Sequence, residues 1–425
     1  MFHLESSKVK DLILQGKIGL EKESLRIDTM GRMAQTAHPF SVEDERVTRD
    51  FCENQTEINT LAYPSAHETV AALDEHNRCV QRALAARPER EYLWPFSNPP
   101  YIRDEEDIPV ARFDGIRSNK TEYRRYLEER YGKYKMAYCG IHFNFSFGEE
   151  LLEKDFRVGG GWNFPDYKNR LYLDLAQKVT AYGWLLTALT AASPVLDGSF
   201  LTKGLKGEDA FLGLASPRCS EIGYWNHFTP IFDYSSVDAY AASIEKYVLD
   251  GFLRAPTELY YPVRLKPRGL NNLDALRKKG VDHIELRMFD LNPLCREGID
   301  ARDVVFTHLF LAFLAATPRI TLNPLAQVRS VQNFKNAAKY DLNLVRILLP
   351  NDSPYSLLDA GRTILQRMKT FFKDAGKEIL DVLDFEEEKI ANPWKRYAHE
   401  VRRLYSGTFL QKGLTLAKRR QGEYL

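Results

Sequence analysis

The chain has 425 residues, 44% hydrophobic and 28% charged, which excludes a disordered or fibrous protein and allows a substantial core. Lysine plus arginine number 59 against 58 acids, so a formal charge of +1 provides no global field for nucleic acid or an anionic membrane. Any anion site must therefore be local.

The opening, MFHLESSKVK, carries charges and no apolar run, which argues against an export signal. In GLEKESLRI (19–27), Glu21 and Glu23 sit two apart, which makes them neighbours on one face of a strand. A further carboxylate, Glu57, lies in QTEINT. Helices are predicted over 65–86, introduced by Pro64 and closed before Pro88, and over 121–131. In IHFNFSF, His142, Asn144 and Ser146 alternate with Ile141, Phe143, Phe145 and Phe147, so a strand presents one polar and one apolar face. Helices follow over 170–192, over 236–249 with Gly251 just beyond, and over 300–316 before Pro318. Between the last two, HIELR places His283, Glu285 and Arg287 on one strand face.

The longest apolar stretches, 181–189 and 304–316, are shorter than the ~18 residues of a membrane span and read as buried helices. Beyond about residue 321 the chain is charged and helix-compatible, and the run 386–389 reads as a solvated helix face. The five cysteines, Cys52, Cys79, Cys139, Cys219 and Cys295, form no CxxC pair, so neither a zinc motif nor a disulfide framework is indicated and a cytoplasmic location fits. No repeat or linker divides the sequence, which predicts one domain: a sheet-and-helix core over 1–320 and a mostly helical part over 321–425 packed on it. Strands and helices without strict alternation indicate an α+β fold, a largely antiparallel sheet covered by helices.

Neither a GxxxxGK[ST] loop nor a convincing GxGxxG follows a strand, and HExxH is absent. Gly159, Gly160 and Gly161 read as a turn. One alternating strand is what any half-exposed sheet shows. Three together would crowd Glu21, Glu23, Glu57 and Glu285, a cost that oxygen-loving divalent cations remove.

The segments GLEKESLRI (19–27), DFCENQTEINT (50–60), WPFSNPPYI (94–102), KTEYRRYLEERYG (120–132), CGIHFNFSF (139–147), ASPVLDGSF (192–200), ASPRCSEIGY (215–224), ELYYPVRLK (258–266) and IELRMFDLNPL (284–294) follow one another in an order that resembles bacterial glutamate–cysteine ligases, also called γ-glutamylcysteine synthetases. The likeness is nearly continuous from residue 13 to about 320 and weaker afterwards. It implies a glutamine-synthetase-like curved antiparallel funnel closed by helices, and ATP-dependent joining of glutamate to cysteine through γ-glutamyl phosphate, the first step of glutathione biosynthesis. A carboxylate is too poor an electrophile for an amine until it gains a leaving group, and phosphoryl transfer between anions needs charge neutralisation and alignment.

Carried over by position, the resemblance implies that Glu21, Glu23, Asp50, Glu57, His142 and Glu285 hold two or three magnesium ions. Magnesium prefers oxygen, so His142 is the odd donor, suited to a metal-bound water or to manganese. Arg287 resembles the arginine at the transferring phosphoryl group, where a planar fork suits shifting phosphate charge, and Arg264 and Lys266 match positions for the nucleotide phosphates. Arg218 resembles the partner of the glutamate α-carboxylate, and Phe51, Tyr123, Arg124, Leu127 and Tyr224 align with a pocket for cysteine. The implied partners are small molecules (glutamate, cysteine and ATP), with no nucleic acid and no membrane.

Against the family, the chain reads as shorter than many members, through shorter loops after Gly251 and a reduced C-terminal part, and as lacking an ATP-grasp domain, so it is not expected to make glutathione alone. Two other readings remain open at the level of sequence: the same activation chemistry with another amine, and a non-catalytic relative that binds glutamate or nucleotide.

Overall fold

The computed structural model describes residues 2–115, 118–205, 208–350 and 353–425. Strands β1 (Gly16–Ile27), β2 (Val47–Arg49), β3 (Gln55–Asn59), β4 (Tyr92–Leu93), β5 (Ile141–Phe147), β6 (Leu196–Asp197), β7 (Asp209–Ala210), β8 (Val263–Lys266), β9 (His283–Phe289), β10 (Arg346–Leu348) and β11 (Pro354–Ser356) occur in that chain order. The main sheet runs β2-β3-β1-β5-β9-β8, with β4 paired to the far end of β1, and every pairing in it is antiparallel. The strands β6 and β7 form one small ribbon and β10 and β11 another.

This corrects the expected glutamine-synthetase-like curved, closed funnel. The α+β class and the helix-covered antiparallel sheet are present, but the sheet is open, ending on β2 at one edge and β8 at the other without a pairing between them. Closure requires edge strands long enough to tilt and pair with each other. Here the edges are three and four residues long, a length that terminates a sheet.

The apolar face of β5 sets where the core lies. Phe143, Phe145 and Phe147 are buried, Phe143 packs its ring 6.0 Å from that of Phe289 on β9, and Phe145 lies 5.0 Å from His308 on the helix Ala301–Ala316. Helices Ala66–Ala85, Phe164–Tyr182, Trp184–Thr190 and Ala301–Ala316 cover this side. The first begins where expected because the Ser65 side chain accepts from the Glu68 amide. The predicted helix over 170–192 is instead two helices meeting at Gly183, where a Cβ would stand 2.5 Å from the Val179 carbonyl and 2.8 Å from the Phe334 ring. Phe334, distant in sequence, approaches too closely for any larger residue there.

C-terminal helices Leu357–Phe371 and Lys377–Ala391 pack on Ala301–Ala316, and Phe409–Tyr424 lies against Ala66–Ala85 and β4. The expectation that residues 386–389 form a solvated face is corrected for two of the four. Glu386 and Lys389 are buried, with Lys389 Nζ 3.0 Å from Asp303 and 2.9 Å from Glu386. Three residues apart on a helix, they share a face turned inward, and a buried lysine between two carboxylates is tolerated where a lone one is not. All five cysteines are free thiols. Among the described residues no helix is long and apolar enough to cross a membrane.

Candidate active site

Strand register assembles the polar face. Glu23 is the direct partner of Glu57 across β1 and β3, Glu21 of His142 across β1 and β5, Asn144 of Glu285 across β5 and β9, and Glu285 of Arg264 across β9 and β8. Opposed residues in antiparallel strands stand about 4.5–5.5 Å apart, so these pairings bring the groups together before any side chain is placed. All but Asn144 line a cavity of ≈ 290 Å³ that also takes in Asp50, Phe51, Tyr123, Arg124, Leu127, Tyr224, Lys266 and Arg287.

The acids occupy the β3-β1-β5 end. His142 Nδ1 is 2.9 Å from Glu21 and 3.7 Å from Glu285, His142 Nε2 is 3.5 Å from Glu23, and Asn144 donates to Glu21 at 2.9 Å. Cations occupy the β8-β9 end, with Arg287 Nη1 3.0 Å and Lys266 Nζ 3.1 Å from the two oxygens of Glu285. Burial would raise the Glu285 carboxyl, but Lys266, Arg287 and Arg264 hold it well below the usual carboxylate range. Glu21 is likewise lowered, against burial, by its hydrogen bond with His142.

At the other end the balance reverses. Burial and the neighbouring Asp50 push Glu23 well above its ordinary value, and burial, Asp50 and Glu21 push Glu57 up to about 8. Burial and Arg287 lower His142, which favours the neutral ring a metal requires. One donor atom each from Glu21, His142 and Glu285 lies within 4.8 Å of the others. Carboxylates forced toward neutrality beside converging oxygen and nitrogen donors fit a divalent cation, whose charge would restore ionisation.

Arg218 sits in an adjoining hollow that shares Tyr224, Tyr260 and Arg287 with the main cavity. It donates to the carbonyls of Arg287 at 2.7 Å and Phe289 at 3.3 Å. Gly140 admits it, since a Cβ there would stand 2.3 Å from the guanidinium carbon. Arg264 lines the cavity, but its Nη2 donates to the carbonyls of Thr257, at 3.2 Å, and Leu259. Arg124 donates to the carbonyl of Asp50 and lies 4.6 Å above the Phe113 ring. Thus the cavity gathers all the expected positions except Arg218, which borders it.

Met136, Thr257, Tyr260 and Asn271 were not singled out by sequence, and Asn144 was placed on the polar strand face without a role. The first four line the cavity and Asn144 bonds a residue that does. Asn144 shares the polar face of β5 with His142, a signal that was available. Tyr260 packs against Tyr224 in a tilted contact with ring centroids 4.1 Å apart, which spacing does not foretell. Beside the cavity, a hollow walled by Tyr240, Ile244, Leu265, Leu273 and Leu276 shares Thr257, Arg264, Lys266 and Asn271 with it.

The sequence profile of the glutamate-cysteine ligase family matches residues 1–337. The bifunctional glutathione biosynthesis protein GshAB of Clostridium perfringens is 32% identical over 415 residues, covering 94% of this chain and 51% of that protein. That of Listeria monocytogenes serovar 1/2a is 34% identical over 419 residues, covering 94% and 53%. The chain spans about half the length of the curated relatives it matches. A crystal structure of a bifunctional glutathione synthetase from Pasteurella multocida superposes with a TM-score of 0.85 at 29% identity, over 98% of this chain and 54% of that one. A Francisella tularensis glutamate–cysteine ligase, solved in complex with AMP, gives a TM-score of 0.86 at 21% identity, over 96% and 89%, a likeness of fold.

Proposed function

Since the chain belongs to the glutamate–cysteine ligase family, we propose that this cavity joins the γ-carboxylate of glutamate to the amine of cysteine, with ATP converted to ADP and phosphate. A γ-carboxylate oxygen attacks the terminal phosphorus of ATP, the bond from that phosphorus to the bridging oxygen breaks, and ADP departs. The cysteine amine then attacks the acyl carbon of γ-glutamyl phosphate, expelling phosphate and losing a proton. Each step moves negative charge between oxygens, which calls for preorganised positive charge.

The observation that carries this reading is the position of Glu285. A single carboxylate stands 3.7 Å from His142 in the acidic cluster and 3.0 Å from Arg287 in the cationic one, so ions held by the first would lie beside a guanidinium fork. Glu21, Glu23, Asp50, Glu57, His142 and Glu285 would hold two or three magnesium ions, or manganese. Such ions would neutralise the phosphate oxygens and draw charge from the attacked phosphorus. Arg287 stabilises the phosphoryl group as it transfers, and Lys266 meets the nucleotide phosphates. Arg264 shares that role on exchanging its bonds to the Thr257 and Leu259 carbonyls for phosphate oxygens. The apolar hollow beyond Lys266 suits the nucleoside.

Arg218 holds the glutamate α-carboxylate at the border of the cavity, leaving the γ-carboxylate directed inward. Phe51, Tyr123, Arg124, Leu127 and Tyr224 form the wall for cysteine, where aromatic faces suit a polarizable thiol. The direct test is ADP release from purified protein. Release that requires glutamate and cysteine together supports the ligase. Release unaffected by either amino acid overturns it in favour of simple ATP hydrolysis, and no release at all in favour of a binding protein.

A further inference from the structure

We propose that Glu258, outside the cavity and touching none of the reacting groups, is the positioning residue that holds the amine-binding wall together. This rests on the reading of Tyr123, Arg124, Leu127 and Tyr224 as that wall. Three separate segments contribute to it: the helix Ser118–Tyr131, the loop carrying Tyr224, and the segment carrying Tyr260, whose ring packs at a tilt against Tyr224. Something must fix their mutual positions, because Leu127 and Tyr131 are the buried residues of that helix and supply little apolar contact.

Glu258 is fully buried, belongs to the Tyr260 segment, reaches the helix with its carboxylate, and is joined to the Tyr224 loop through Asn226. Its Oε1 accepts from Tyr131 OH at 2.7 Å and from Tyr126 OH at 3.4 Å, and pairs with Arg130 Nε at 2.9 Å, which grips the C-terminal half of the helix. Its Oε2 accepts from the Arg254 amide at 2.6 Å. Asn226, two residues beyond Tyr224, completes the bracket by donating to Tyr131 OH at 3.0 Å and to the Glu258 carbonyl at 2.9 Å while accepting from the Tyr260 amide at 2.8 Å. A buried carboxylate is costly unless its oxygens are satisfied, so the bracket has one arrangement in which all its members are bonded. That arrangement fixes the distance from Tyr123 and Leu127 to Tyr224 and Tyr260.

The chemistry of the network separates this role from simple stability. The Arg218 guanidinium is held by the carbonyls of Arg287 and Phe289 and the Lys266 ammonium by Glu285, none of which the Glu258 carboxylate touches, so loosening the bracket should be felt by the amine more than by the other two substrates. Glu258→Gln keeps an oxygen for Tyr131 but removes the anion from Arg130. Tyr131→Phe removes one hydroxyl and leaves the ion pair.

The experiment is steady-state kinetics of both variants with each substrate varied, together with hydrogen–deuterium exchange of amides 118–131. Expected is a rise in the cysteine KM of about tenfold for Glu258→Gln and about threefold for Tyr131→Phe, the scale of losing a buried charged or neutral hydrogen bond. The KM values for ATP and glutamate and kcat should stay within about twofold, and exchange in 118–131 should accelerate in both variants. KM values that move together, or an unchanged cysteine KM, overturn the proposal. Should the wild-type protein use another amine, the same comparison is made with that amine. Should it turn over none, the ligase reading falls on its own, and exchange then decides: unchanged protection of 118–131 in Glu258→Gln removes the positioning role.

Discussion

Arg287 reaches back along β9 to Glu285, two residues earlier on the same face, and its Nη1 rests 3.0 Å from that carboxylate. Glu285 in turn raises the Arg287 guanidinium further above its ordinary value, against burial, so both remain charged throughout the functional pH range. Lysine at this position keeps the charge and loses the fork. Arg287→Lys is therefore expected to lower kcat by about a hundredfold, as loss of a preorganised transition-state donor does, with a smaller change in the ATP KM. A variant with normal kcat and weakened ATP binding would make Arg287 a ground-state contact only.

Chelation should abolish turnover, and magnesium or manganese, but not zinc, should restore it. The basis is the convergence of Glu21, His142 and Glu285 with Glu57 beside them. Glu57→Gln and Glu285→Gln are each expected to lower activity by on the order of a hundredfold. Full turnover in excess chelator would sink the metal reading.

Metal uptake should release protons. Glu57 is pushed up to about 8 in the metal-free cavity by burial, Asp50 and Glu21, whereas a bound cation favours the ionised form. Binding at pH 7 therefore displaces about one proton from this group, with the raised Glu23 adding to the release, and affinity rises with pH from 7 to 8. Calorimetric magnesium titrations in two buffers of different ionisation enthalpy measure the release. Identical heats in both would contradict it.

How far the site could be read from sequence depended on whether its parts lay within one element. The alternation in β5 and β9 named His142, Glu285 and Arg287, because a period of two orients side chains whatever the fold. That Glu21 faces His142 and Glu23 faces Glu57 is a fact of register between strands far apart in the chain, which no local pattern states. Arg218 comes from a loop that passes over Gly140, and Glu258 opens the segment ELYYPVRLK, where nothing local marks it; both depend on contacts between distant segments. The sheet's openness and the crowding at Gly183 were illegible for the same reason, one set by edge pairing and the other by the approach of Phe334.

Acid should weaken the fold through His38. Burial, then Arg26 and Arg49, lower this ring to about 3, so it is neutral in the native state while the unfolded chain protonates near 6.5. A depressed histidine contributes its full stability above the unfolded value and loses it as pH falls from about 6.5 toward 3, by about 1.4 kcal/mol per pH unit. Urea unfolding at pH 7, 6 and 5 should show the wild-type protein losing stability relative to His38→Gln by about that amount per unit below pH 6. Parallel pH profiles would show that His38 does not titrate differently on folding.

Acceptor choice should be real but incomplete. The wall of Phe51, Tyr123, Leu127 and Tyr224 presents aromatic and aliphatic surface, and such a surface separates near-isosteres by only about 1 to 3 kcal/mol. Cysteine is expected to be the best amine, 2-aminobutyrate a poorer one by roughly ten- to a hundredfold in kcat/KM, and bulky amino acids inert. Arg218, at the border of the cavity, would anchor glutamate by its α-carboxylate, so the new amide should form at the γ position alone. A panel of amines with ATP and glutamate, analysed by mass spectrometry with fragmentation to place the amide, tests both expectations. An α-linked product would displace Arg218 from its assigned role while leaving the activation chemistry intact. If cysteine and 2-aminobutyrate are both inert while a larger amine turns over, the wall has been assigned the wrong occupant, and the phosphoryl-transfer groups around Glu285 and Arg287 would still account for the reaction.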